Sequence, residues 1–158
     1  MDNAKDIIIG EIDLTTPRER MLEYGTTNEA MVNLGTKGKN KFGVSYIKVK
    51  GNEGGVPHFH IESKGTSLYC CVCIFIPMYF NHTHTKDEVK LNTDQKWILN
   101  EYLKVKLNNG KSNWDIIVDA WNQANYNKDT FEIHCKKYKL DKNNLSQPNY
   151  TEMEDSCV

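Results

Sequence analysis

Three strand-like runs separated by short glycine-bearing segments constrain this chain more than any other feature. FGVSYIKVKG (42–51), VPHFHIES (56–63) and SLYCCVCIFI (67–76) are rich in β-branched and aromatic residues, and NEGG and SKGT stand between them. Connections this short cannot carry a parallel crossover, so neighbouring runs must pair antiparallel as a meander. The longer apolar run SLYCCVCIFIPMYF is too short for a membrane-spanning helix and is broken by Pro77, which makes it a buried strand.

Outside the meander the hydrophobic period changes. NTDQKWILNEYLKVKL has Asn92 or Thr93 as its cap and Leu99, Tyr102 and Leu103 on one face. KSNWDIIVDAWNQANY has Ser112 as cap, Asp115 three residues on, and Trp114, Ile117, Val118 and Trp121 on one face. TPRERMLEYGTTNEAMVNLG reads as further helical material with Thr16 as cap, followed by a turn punctuated by Gly35, Gly38 and Gly43. DIIIGEIDL reads as a short strand. DTFEIHCKKYKL alternates Phe131, Ile133 and Cys135 against Glu132, His134 and Lys136, which predicts a fourth strand of the meander. Grouped strands and grouped helices give an α+β class: an antiparallel meander of about three to five strands with two or three helices on one face. The 158 residues fit a single domain, with a core over about 6–140 and a polar tail over 141–158 that packs only through Tyr150 or Met153.

Composition narrows the function classes. A content of 39% hydrophobic and 26% charged residues describes a globular chain, not a disordered one. The acidic start MDNAKDIIIGEIDL lacks the basic n-region of a signal peptide, which places the chain in the cytoplasm and away from membranes. Five cysteines in that setting are free thiols, not a disulfide framework. A net charge of −1 argues against a strongly basic nucleic-acid binder. The basic stretch 36–51 reads as a solvated loop entering an edge strand protected by lysines; its second reading is a weak phosphate-tracking groove that includes Lys48 and Lys50.

The strand VPHFHIES carries the candidate chemistry. Residues two apart share a face of a strand, so His58, His60 and Glu62 point one way and Phe59 and Ile61 the other. With Lys64-Gly65 as a two-residue hairpin loop, His60 falls opposite Tyr69, His58 opposite Cys71 and Val56 opposite Cys73. His58, His60, Cys71 and Cys73 then form one patch, close enough across the ladder (about 5 Å) for imidazoles and a thiolate to meet one zinc ion. A three-residue loop would dissolve that patch, because a slip of one turns every side chain over. The plainer account is strand filling by cysteines and histidines bonded to loops or water, with no cofactor required. The loop histidines His82 and His84, and His134, are further ligands only if they close onto the sheet.

Known catalytic patterns fit incompletely. HFHIE has two histidines of the H-φ-H-φ-H of histidine-triad nucleotide hydrolases, with Glu62 in place of the third. The second histidine motif of cupins is missing, and NHTHT does not supply a second strand for a two-histidine phosphoesterase. There is no nucleophile elbow, phosphate-binding glycine loop or paired carboxylate array.

The spaced motifs GGVPHFHI, YFNH, LNTDQ and QPNY resemble a group of small proteins of unknown function from Firmicutes, Bacteroidetes and their phages or mobile elements, over roughly residues 42–150. That resemblance implies a setting, not an activity: an accessory protein of a phage or mobile element. The leading expectation is therefore a non-enzymatic binding or inhibitory protein, or a member of a two-gene module. It would act on a protein partner through His58, His60, Lys48, Lys50 and Tyr69, with a nucleotide or nucleic acid as the other ligand class and strand-paired homodimers open to an exposed edge. The other expectation is a small zinc hydrolase acting on nucleotides or nucleic acid, with His58 and His60 as ligands and Glu62 as base.

Overall fold

A computed structural model describes residues 6–15, 44–63, 69–81 and 89–158. The helix expected over 16–35, the glycine-punctuated turn after it, the Lys64-Gly65 turn and the loop bearing His82 and His84 lie outside those residues. The described chain is an α+β arrangement built on one mostly antiparallel sheet. Its strands are β1 (Ile7–Asp13), β2 (Val44–Val49), β3 (His58–Ser63), β4 (Tyr69–Cys73), β5 (Met78–Tyr79) and β6 (Glu154–Cys157), in that spatial order. Only β5 and β6 run parallel.

β1 covers the outer side of β2, so the strand expected at an edge is interior and its lysines do not guard an edge. Ile47 faces Ile61, Ile61 faces Cys70 and Phe59 faces Val72, which stacks these residues on one side of the sheet. They join Leu99, Leu103, Ile117 and Tyr150 in the main apolar cluster.

The helices are α1 (Thr93–Lys104), α2 (Asn113–Asn125) and α3 (Lys128–Tyr138). α1 and α2 start where expected, each with a reciprocal capping box: Asn92 with Gln95, and Ser112 with Asp115. α1 passes so close to β1 that a Cβ on Gly10 would lie 2.7 Å from the Tyr102 hydroxyl and force the tyrosine to move. α3 corrects the fourth-strand expectation. The Asn127 side chain caps it by accepting from the Thr130 N–H. Phe131, His134, Cys135 and Tyr138 follow the i, i+3, i+4, i+7 spacing of a helix face, and Ile133, a core residue in the strand reading, is 69% exposed.

The last residues contribute more than two anchors. Tyr150 is fully buried, with its hydroxyl directed at the carbonyls of Cys73 and Ile74 (3.1 and 2.8 Å), and Met153 is buried too. Beyond them β6 pairs with β5. Among the described residues no helix is long and apolar enough to cross a membrane.

Candidate functional site

The site begins with the register of β3 on β4. His58 pairs with Cys73, His60 with Cys71 and Glu62 with Tyr69, two residues away from the register that a Lys64-Gly65 loop implies. A shift of two preserves the face, so His58, His60, Cys71 and Cys73 still share one side of the sheet although every partner differs. That side is not half-exposed: His58 and His60 are each 1% exposed, as hidden as Phe59 and Ile61 behind them.

The residue that organises this side is Glu53, for which strand periodicity holds no signal. Gly55 (φ +81°) and Asn52 (φ +58°) adopt left-handed backbone in the 50–57 loop, which lies against β3, the strand that follows it. Asn125 at the end of α2 holds the loop by donating to the Lys50 carbonyl (2.7 Å) and accepting from the Glu53 N–H (2.9 Å). The Glu53 carboxylate then reaches both histidines with one oxygen: Oε1 lies 2.7 Å from His58 Nε2 and 2.9 Å from His60 Nε2. A carboxylate beside a Gly-Gly hinge a few residues before H-x-H is the sequence signal that could have found it.

The far edges of both rings are also held. His58 Nδ1 lies 2.7 Å from the Val56 carbonyl, and His60 Nδ1 lies 3.3 Å from Cys71 Sγ. Phe80 stacks on His58 (3.9 Å between centroids, 3° between planes), and Trp121 of α2 packs at 5.1 Å. Burial pushes the Glu53 carboxyl upward, but the bonds from His58 and His60 outweigh it and hold the group well below the carboxylate range. Burial lowers His60 despite the opposing pull of Glu53.

The other expected site residues take different places. Cys71 sits behind His60, on the ring nitrogen turned away from Glu53, so it supports that ring instead of meeting an ion beside it. Burial, and secondarily Cys157, pushes the Cys73 thiol up to about 12, so it stays protonated in the metal-free protein. Glu62 is bonded by Lys48 (2.9 Å) and Lys50 (3.1 Å); burial raises it, yet the two lysines leave it below its usual value. A carboxylate so occupied is a weak general base, and the same pairing occupies the two lysines proposed for anionic ligands. Tyr69 pairs with Glu62 in the ladder. His134 lies on α3, buried, apart from this group. Among the described residues, Glu53, His58 and His60 bring three metal-capable atoms within 4.8 Å of one another.

Glu53 also forms part of the wall of a cleft of about 320 Å³ between the 50–57 loop and the α2–α3 corner. Trp121, Ala124, Tyr126, Thr130 and Phe131 line its other side, and Tyr126 is 51% exposed there. Comparison with protein-family models, with curated proteins and with solved structures finds no match to this chain.

Proposed function

We propose that this chain is a non-enzymatic binding protein, an accessory factor of phage or mobile-element type, that receives a projecting side chain of a protein partner in the cleft between the 50–57 loop and the α2–α3 corner. The observation that carries the reading is the make-up of that cleft. Its aromatic walls, Trp121, Tyr126 and Phe131, alternate with amide and hydroxyl groups, a lining suited to a mixed apolar and polar guest. One wall is held by the Asn125 bonds and by the Glu53 contacts to His58 and His60, so little ordering remains to oppose binding. The competing hydrolase reading assigns Glu62 as its base, and Glu62 is bonded to Lys48 and Lys50.

Ala124→Trp fills the cleft from α2 without touching the histidines. Immobilised wild-type protein should retain a partner from bacterial lysate, and the Ala124→Trp protein should lose it while its circular dichroism stays unchanged. Equal retention by both proteins would contradict the cleft as the binding surface, and retention by neither would contradict the binding reading itself.

A further inference from the structure

The bonding of His58 and His60 contains an imbalance of charge. The Val56 carbonyl can only accept, so the 2.7 Å contact requires a proton on His58 Nδ1. If the ring is neutral, His58 Nε2 then presents a lone pair to a carboxylate oxygen 2.7 Å away, which is repulsive. The pair is attractive only when a positive charge lies between or upon these atoms. That charge is either an extra proton shared between His58 and Glu53 or a cation held by all three groups.

The surroundings match the second case. In protein metal sites the ligating histidine gives its other N–H to a carbonyl or similar acceptor, which fixes the tautomer and turns the lone pair to the ion. His58 does this toward Val56, and Cys71 Sγ stands ready as the acceptor for His60 Nδ1. Both Nε2 atoms converge on Glu53 Oε1, and the three atoms lie within 4.8 Å of one another. Ligands about 2.0–2.2 Å from a tetrahedral ion stand about 3.3 Å apart, and Glu53 Oε1 lies about half an ångström inside that spacing from each histidine nitrogen.

We propose that Glu53, His58 and His60 bind one zinc ion, with water in the fourth position. Two imidazoles and one carboxylate suit zinc, whereas magnesium and calcium favour all-oxygen shells. The ion would join β3 to the 50–57 loop and so fix the cleft wall that Glu53 helps to form. The cysteines are outside the ligand set: Cys71 orients His60 from its other ring nitrogen, and the atoms that converge are those of Glu53, His58 and His60. This inference does not depend on the partner-binding reading, since neither requires the other.

The test uses tag-free, full-length protein, loaded with zinc, dialysed and measured by mass spectrometry and by competition with a chromophoric chelator. One zinc per chain is expected. Glu53→Gln should weaken binding by about 100-fold or more, Cys71→Ser by about tenfold at most and Cys73→Ser not at all. Retention of under about a tenth of an equivalent by folded wild-type protein would overturn the proposal, as would a Glu53→Gln protein of wild-type affinity. Should Glu53→Gln fail to fold, the cobalt-loaded wild-type protein decides. Visible d–d bands of a tetrahedral ion without thiolate-to-metal charge transfer are expected, and strong charge transfer would overturn the ligand set. Loss of zinc with partner capture intact, or the reverse, tells the failure of one reading from that of the other.

Discussion

Phe59 and Ile61 on one side of β3, and His58 and His60 on the other, are equally hidden from solvent, yet different forces hide them. The first pair is covered by the apolar cluster that includes Leu99, Leu103 and Tyr150, where removal of surface from water is the driving force. The second is held by short, directed contacts to Glu53, Val56 and Cys71. An apolar face tolerates many residues of similar volume, whereas a polar cluster holds only when every group finds its partner. His134 is the counterexample within the same molecule: it is buried on α3 with neither ring nitrogen hydrogen-bonded among the described residues.

The two sides of β3 can be set against each other by substitution. The largest effect is expected on the apolar side, where Phe59→Ala should cost about 3–5 kcal/mol by chemical denaturation, since Tyr150 and the strands around it cannot collapse into the space. A loss under about 1 kcal/mol would show that this face is not the main support. Next comes the polar side: in zinc-free protein, where an extra proton must supply the positive charge between Glu53 and the histidines, Glu53→Gln should cost about 1–3 kcal/mol, because a neutral amide loses the charge-assisted contact. An unchanged denaturation midpoint would mean that the loop is held by Asn125 alone.

The smallest effect, and of opposite sign, is expected at His134. Leucine in its place removes two buried nitrogens that have no hydrogen-bond partner among the described residues, and should stabilise the fold by about 1 kcal/mol near neutral pH. Burial, with Lys137 adding to it, holds His134 below its usual 6.5. A histidine depressed in the folded state contributes stability above its unfolded value that is lost as pH falls through the folded one. The advantage of His134→Leu should therefore widen as pH drops below about 6.5. A constant difference across that range would place the histidine in contact with water.

Legibility in the sequence divides along the same line. The caps at Asn92 and Ser112, the helix faces of α1 and α2, and the Phe59/Ile61 core side are set by neighbours a few residues apart, so they can be read from the chain. α3 is hidden because Phe131, Ile133 and Cys135 alternate by chance over a true helical spacing, and the Asn127 cap is the stronger sign. The histidine side is half legible. Its membership survives the change of register because a shift of two keeps the face, but its partner stays out of sight, since Glu53 arrives through left-handed backbone at Asn52 and Gly55 that no periodicity encodes.

The central claim is that the polar side of β3 is a zinc site built from Glu53, His58 and His60. X-ray absorption at the zinc edge of the tag-free, zinc-loaded protein tests it most directly. The account predicts a first shell of nitrogen and oxygen alone at about 2.0–2.2 Å, with imidazole scattering from two rings. A sulfur shell at about 2.3 Å would contradict it and return the ion to Cys71 or Cys73.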